Sequence, residues 1–391
     1  MHCTHREPAL QSFLALNPNP GQTARGMKEP ESLQQVRRTF VRHRGRELSF
    51  FSGCDYFRLS SHPKILAAIH TGLARFGLNV AASRRTTGNH AVYLELEKQL
   101  TRFFGAEAAL VVSTGYVTNL ITAQALAGNF SHALLDEKSH GSPVDAAQLL
   151  NCPVLKFKHR VVADFAQTLQ RCGPGARPVV LTDGMFSGDG SVAPLKAYLK
   201  LLPRDGLIIV DDAHGGGTIG AHGRGAVEVE GVDRQRLVQC VTLSKAFGCY
   251  GGAILCSRKL REQIVTRSSM FIGSTPLPLP LAYAATVALK LHQQDGELRR
   301  RLNRNASFVK HALRGAGMTV PEHPGPNIPF PLPTAKRNAQ LRRALLAAGI
   351  FPSFTQYPGG LAGGYFRFVI SSEHTQAQLN KLVSVLTRFI W

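Results

Sequence analysis

The sequence predicts an α/β protein: a large domain on a mostly parallel sheet, then a smaller C-terminal domain that begins near residue 290. Three observations predict it. Short apolar runs, among them Ala108–Val112, Ala133–Leu135, Pro178–Leu181, Leu207–Val210 and Leu237–Val241, have the length of buried strands. Helical stretches of ten or more residues alternate with them, which is the pattern of βα units. The runs end in small or polar turns that hold the chemistry-bearing side chains, at the strand ends where open parallel sheets bind ligands.

The 391 residues suffice for two domains, and 44% hydrophobic content excludes disorder for the bulk of the chain. No uninterrupted apolar run reaches the length of a membrane span, so the expectation is a soluble, cytoplasmic protein without a membrane partner. The seven cysteines are scattered and contain no CxxC pair, which fits free thiols in a reducing cytoplasm better than a disulfide framework or a metal site. The net charge is +21. It is spread along the chain with no aromatic-basic stripe, against nucleic-acid binding. Attraction of an anionic substrate, such as coenzyme A or an acidic carrier protein, remains open, as does a compositional bias toward arginine.

Taken in order, residues 1–30 lack the apolar core of a secretory signal. They read as a flexible extension or as a consequence of start-site choice, with Met27 the true start. An arm and connecting segment occupy 31–75. Its run Arg37, Arg38, Arg42, Arg44 and Arg46 reads, on charge alone, as a solvated helix face. Tyr93, Leu96, Leu100, Phe103 and Phe104 recur at helical steps and Gly105 closes the helix, so these aromatics belong to the core.

The turns follow. Ser113-Thr114-Gly115-Tyr116 joins a strand to a helix, where backbone N–H groups either bind phosphate or form an ordinary cap. His140 lies in a polar turn after the next strand, and Ser187 lies in a Gly-rich loop. The run ending at Val210 continues as Asp211-Asp212-Ala213-His214-Gly215. The run ending at Val241 continues as Thr242-Leu243-Ser244-Lys245-Ala246-Phe247-Gly248. A lysine boxed by small residues at a strand end is either a surface residue of a hairpin or a desolvated, nucleophilic amine. The acid about thirty residues upstream decides for the second. A strand-end carboxylate followed by such a lysine is the layout that holds pyridoxal phosphate, the acid on the ring nitrogen and the lysine as Schiff base.

From about Phe50 to the C-terminus the chain resembles the α-oxoamine synthase family of fold-type I pyridoxal-phosphate enzymes, with the 8-amino-7-oxononanoate synthases its nearest branch. Phe50–Pro63 is similar to the family's N-Y-L-G-L…H-P segment, with Asp55 for Asn and Arg58 where Gly is usual. Ser83–His90 resembles G-S-R-x-x-S-G-N, and Thr182–Gly190 resembles T-E-G-V-F-S-M-D-G with Asp183 for Glu. The D-D-A-H-G-x-G-x-x-G segment from Asp211 to Gly220 favours the synthases over plain aminotransferases.

The resemblance implies a large cofactor domain over 76–289 with a seven-stranded type of sheet, a small α+β domain over 290–391, and a homodimer with shared active sites. It implies catalytic roles for Lys245, Asp211, His214 and His140, the last stacked on the cofactor ring. His214 and Ser187 would bond the phenolic oxygen. Gly115, Tyr116 and Thr242 (favoured over Ser244), with Ser274 and Thr275 of the partner subunit, would hold phosphate. Arg37 at the mouth and Arg367 on a C-terminal strand would bind substrate, Arg367 by bidentate pairing with a carboxylate. Arg58 would lie near the acyl path, and Pro321–Pro333 and Tyr357–Gly360 would shape the acyl pocket. The activity implied is decarboxylative condensation of a small amino acid, L-alanine first, with a pimeloyl thioester of coenzyme A or carrier protein, as in biotin synthesis. A sibling using glycine, serine or another acyl donor, a plain aminotransferase, and a non-enzymatic basic protein are the alternatives in that order.

Overall fold

The computed structural model describes residues 32–320, 322–356 and 364–390. The expected extension 1–30, Pro321 and the Tyr357–Gly360 turn lie outside the described residues.

The basic run is not a helix face. Gln34–Arg37 (β1), Phe40–His43 (β2) and Arg46–Ser49 (β3) form an antiparallel meander. Val41 and Leu48 are buried and face each other in register, while Arg42 is exposed beside them. Charge therefore alternates with a period of two, which a count of arginines does not reveal. Arg44 and Gly45 both take positive φ, 49° and 74°, as a tight primed hairpin turn requires.

The large lobe holds Ala108–Val112 (β4), His132–Asp136 (β5), Val154–Phe157 (β6), Pro178–Asp183 (β7), Leu207–Asp211 (β8), Leu237–Thr242 (β9) and Gly252–Cys256 (β10). The order is β4-β10-β9-β8-β7-β5-β6, seven strands, with only β10 antiparallel to its neighbours. Successive residues alternate between two apolar layers: Leu134, Val180 and Ile208 pack on one face, Leu135, Leu181 and Ile209 on the other. The helix Ala91–Phe104 covers the first face with Tyr93, Leu96, Leu100, Phe103 and Phe104. Among the described residues, no helix is long and apolar enough to cross a membrane.

The second lobe is a three-stranded antiparallel sheet, Asn327–Phe330 (β11), Tyr365–Val369 (β13) and Phe354–Thr355 (β12), in the order β11-β13-β12. It packs on the helices Gly296–Gly315, Ala335–Ala347 and Gln376–Leu386 through Val309, Leu341, Leu345, Phe366, Phe368 and Leu382. Phe51 belongs to this core, whereas Tyr56, Phe57 and Leu59 belong to the core of the large lobe. The Phe50–Pro63 segment thus crosses between the lobes. It is tied to the second by Val369 N donating to Phe51 O (2.9 Å) and Ser372 N to Tyr56 O (3.0 Å), and just before it Ser49 N of β3 donates to Gly349 O (2.8 Å).

Candidate active site

β7 and β8 end on Asp183 and Asp211, which sit opposite each other in register. Parallel neighbours lie under 5 Å apart and both side chains leave the same face, so the sheet itself makes a carboxyl pair. The two are treated differently. Asp211 Oδ2 accepts from Asn119 Nδ2 at 2.8 Å, and Oδ1 accepts from Ala213 N at 3.1 Å. Asn119 is itself oriented: it also donates to Ser142 Oγ (2.9 Å), which donates to Tyr116 O (2.6 Å). Asp183 accepts from His140 N (3.0 Å), and burial together with the charge of Asp211 raises its carboxyl well above the ordinary range. Burial and the neighbouring carboxylate thus disfavour ionisation of Asp183.

Lys245 follows β9 and is directed at His214: Nζ lies 2.8 Å from Nε2, and the opposite ring nitrogen, Nδ1, lies 2.7 Å from Tyr56 Oη. Burial lowers the Lys245 amine, with Cys54, Asp211 and Asp183 acting against it and Arg367 reinforcing it. Burial also lowers His214 well below the usual imidazole range, helped by Lys245, Arg367 and His140. The pair reads as a neutral imidazole beside an amine primed to lose its proton.

At the far end Gly115 opens the helix Tyr116–Leu126 directly against Thr242. A Cβ on Gly115 would stand 2.6 Å from Thr242 Cβ and Oγ1, so only glycine allows this approach. Thr242 Oγ1 lies 2.6 Å from Ser244 Oγ, so both hydroxyls occur at the mouth of the helix N-terminus. Tyr116 is 44% exposed and donates to the Asp145 carboxylate; its burial and Asp145 raise the phenol to about 12. His140 meets the Tyr116 ring edge-on with centroids 6.0 Å apart, and its Nδ1 caps the next helix by accepting from Ser142 N at 3.3 Å.

From the second lobe, Arg367 on β13 donates to Ser187 O (3.3 Å), and Asn327 on β11 donates to the same oxygen (2.8 Å). Arg367 and Ser187 are thus brought together, and Arg367 is close enough to Lys245 and His214 to depress both. Arg37 is not brought to them. It pairs with Glu47 on the exposed meander, and its guanidinium lies 4.9 Å from the Phe40 centroid. Its neighbour Arg38 turns inward instead, to Phe57 O (3.2 Å), Arg58 O (3.2 Å) and Glu373 (2.7 Å). Ser274 and Thr275 are exposed, and Ser274 Oγ donates to Met270 O of its own short helix.

Two departures noted in the sequence are structural. Arg58 sits at φ 51°, a left-handed position that explains why glycine is usual there. Its guanidinium turns back to Phe50 O (2.8 Å) and Ser52 O (3.3 Å), and the residue is 2% exposed, so it is framework rather than lining of an acyl path. Asp55 accepts from Leu59 N (2.9 Å) and Ser60 N (3.0 Å), holding a local turn. Sequence reasoning missed Tyr56, Asn119 and Asn327. Tyr56 carried a signal, because it lies inside the Phe50–Pro63 motif; a buried Asn on a helix or strand carries none until its partners are known.

These residues fit pyridoxal phosphate. A carboxylate anchored by two donors suits a protonated ring nitrogen, the Gly115–Thr242 notch leaves the helix N-terminus free for phosphate, and Lys245 supplies the amine. On the same floor Asn119 Oδ1 is buried without a partner among the described residues.

The model of the family described as aminotransferase class I and II matches residues 55–386. The 8-amino-7-oxononanoate synthase of Thioalkalivibrio sulfidiphilus (strain HL-EbGR7) is 32% identical over 347 residues, covering 88% of each chain. The structure of a lysine-to-alanine variant of serine palmitoyltransferase from S. paucimobilis, with a bound PLP–myriocin aldimine, superposes with a TM-score of 0.85, 28% identity and 93% of each chain covered. The 8-amino-7-oxononanoate synthase structure from Francisella tularensis shares the fold, with a TM-score of 0.75, 24% identity, and 87% of this chain and 97% of that one covered.

Proposed function

Because the chain belongs to the aminotransferase class I and II family, as an enzyme of its pyridoxal-phosphate-dependent α-oxoamine synthases, we propose that it condenses L-alanine with a pimeloyl thioester, with loss of carbon dioxide, to give the α-aminoketone of biotin synthesis. The observation that carries the reading is the Lys245–His214 contact at the end of β9, facing Asp211 from β8 and Arg367 from the second lobe. Bound there, pyridoxal phosphate supplies an electron sink for negative charge at the amino acid Cα.

The residues divide the remaining work. Asp211, held by Asn119 and Ala213 N, would keep a proton on the ring nitrogen. The Gly115 helix start and Thr242 would bind phosphate with Tyr116 beside them, and His140, which meets the Tyr116 ring edge-on, would help hold the ring. Ser274 and Thr275 of a second copy would complete the phosphate site in a homodimer. Arg367 takes the substrate carboxylate in two parallel hydrogen bonds. Lys245 would be the base for the Cα proton, because burial leaves its amine unprotonated at lower pH than a surface lysine. His214 and Ser187 bond the phenolic oxygen. The substrate Cα would then bond to the carbonyl carbon of the thioester, on coenzyme A or carrier protein, as the C–S bond breaks and the thiolate leaves; the amino acid carboxylate would depart as carbon dioxide.

A second reading is a sibling that takes serine and a longer acyl chain. It is favoured by the higher structural similarity to serine palmitoyltransferase, TM-score 0.85 against 0.75. Spectral titration decides between the readings: a visible cofactor band changed by alanine, then thiol release with pimeloyl thioester, is the expected result. A response confined to serine or glycine moves the assignment to the sibling, and a protein that takes up no cofactor overturns both.

A further inference from the structure

We propose that Tyr56 is a positioning residue that sets the tautomer of His214, so that the imidazole directs its Nε2 proton toward Lys245 and toward the group that Lys245 carries. The inference rests on the assignment of Lys245 as the cofactor lysine and adds a residue that no part of the motif reading placed in the site.

A neutral imidazole has one N–H donor and one acceptor nitrogen. In the chain Tyr56 Oη–His214–Lys245 Nζ, with links of 2.7 and 2.8 Å, two arrangements are possible. Either Nδ1–H donates to the phenol and Nε2 accepts from an ammonium, or the phenol donates to Nδ1 and Nε2–H faces the lone pair of a neutral amine. The surroundings of the phenol select the second. Tyr56 is fully buried, so its hydroxyl proton needs an acceptor.

Around the oxygen stand the Asn327 amide, Arg367 and the Cys54 thiol. Arg367 has only donors, and Asn327 already turns its Nδ2 to Ser187 O on this side. Burial raises the phenol well above its ordinary value, with Asn327 and Arg367 acting against that, as groups presenting positive charge to the oxygen would. Asn327 Oδ1 is buried without a partner among the described residues, so it does not take the phenol's proton, whereas His214 Nδ1 lies at 2.7 Å from the hydroxyl. On the other side, Lys245 is faced by Cys54, Asp211, Asp183 and Arg367, and His214 by Lys245, Arg367 and His140; burial disfavours the charged form of both amine and imidazole.

The backbone that carries the phenol is also held in place. Tyr56 O accepts from Ser372 N of the second lobe (3.0 Å), and Tyr56 N donates to Cys54 O (3.0 Å). The hydroxyl therefore carries the seating of the second lobe, which also bears Arg367, into the orientation of His214.

The test is nitrogen NMR of the apoprotein labelled with 15N-histidine, with the His214 signal assigned by its loss in His214→Asn. The proposal expects protonated Nε2 and bare Nδ1 in the wild type, and conversion to a mixture or to the Nδ1–H form in Tyr56→Phe. It also expects the pH midpoint for uptake of pyridoxal phosphate by the apoprotein to rise by about one unit in Tyr56→Phe, because the freed imidazole can then accept from the ammonium. In the loaded enzyme, kcat should fall about tenfold with the amino acid KM little changed. An Nδ1–H signal in the wild type overturns the proposal whether or not the variant folds. So does a variant whose tautomer and pH midpoint are unchanged while its Tm falls, since that is a packing role. Failure to take up the cofactor would overturn the proposed function, and the apoprotein spectrum would still decide the tautomer.

Discussion

On the floor of the site, Asp183, Asp211, Thr242 and Lys245 sit at or just past the ends of three adjacent parallel strands, and one sheet register sets their spacing. On the rim, Arg37, Arg58, Ser274 and Arg367 come from an exposed meander, a segment that crosses between lobes, an exposed loop and the second lobe. These floor residues all come from one chain. The rim is partly assembled: Arg367 meets Ser187, Arg58 is diverted into the framework, and Arg37 pairs with Glu47. The contrast teaches that a regular sheet fixes chemistry by register, whereas rim residues depend on which of several contacts each flexible arginine makes.

The sharpest way to break the comparison is on the floor. Replacing Lys245 with alanine should lower turnover at least about a thousandfold, because nucleophile and proton acceptor are lost together. The fold should be unharmed, as the variant removes a desolvated amine, and circular dichroism with a turnover assay checks both. Next comes the acid pair. Asp211→Asn should cost roughly a hundredfold in kcat, since the charge on the ring nitrogen is lost. Asp183→Asn should cost less than about threefold, because an amide resembles the neutral acid that burial and Asp211 already impose, and its oxygen can still accept from His140 N. Equal losses in the two variants would mean that the proton sits on the other member of the pair.

On the rim the effects should be smaller and should fall on KM. Arg367→Lys should raise the amino acid KM by roughly tenfold with cofactor binding intact, since an ammonium cannot give the two parallel hydrogen bonds of a guanidinium. Arg37→Ala should change KM less than about twofold, because the side chain is engaged by Glu47 and Phe40. A larger effect of Arg37 would show that the meander rearranges around substrate or a second subunit, and steady-state kinetics on the two variants decides.

Much of the floor was legible in the sequence because it is periodic. The apolar runs before Asp211 and Lys245 could only be buried strands, and a strand end has one place to put a side chain. The spacing of Asp211 and Lys245 pointed to a cofactor site, whereas Asp183 and the Gly115 turn were placed there only by the resemblance to the family's motifs. What was not legible depends on long-range partners. The arginines of 37–46 looked helical because their number is conspicuous and their alternation with Val41 and Leu48 is not. Arg58 looked like an acyl-site residue because its left-handed backbone, which sends the side chain away, is invisible in composition. Asn119 and Asn327 acquire meaning only when Asp211 and Ser187, 92 and 140 residues away in the chain, fold against them.

The smallest expected effect separates the two acids of the Asp211-Asp212 doublet, neighbours in sequence with opposite surroundings. Asp211 opens to the site, whereas Asp212 is wholly buried beneath it. Its Oδ2 accepts from Gln239 Nε2 (2.6 Å) and Ala226 N (2.9 Å), and its Oδ1 has no partner among the described residues. Glycines at 184, 215 and 225 make room, since a Cβ at each would come within 2.4, 2.1 and 1.9 Å of its carboxylate oxygens. Burial raises this carboxyl to about 7. An unfolded aspartate titrates near 4, so between about pH 4 and 7 the folded state binds more protons than the unfolded one. The contribution to stability is therefore present at low pH and is lost as pH rises through that window, by a few kcal/mol at most. Buried His292, lowered to about 4, and His374, lowered to about 3, act in the opposite sense, losing stability as pH falls below about 6.5. Subtracting the Tm–pH profile of Asp212→Asn from that of the wild type cancels the histidines. The difference should favour the wild type most near pH 4 and shrink toward pH 8. A difference independent of pH would place the Asp212 proton elsewhere and leave only its hydrogen bonds to Gln239 and Ala226 to explain why the doublet carries a second acid.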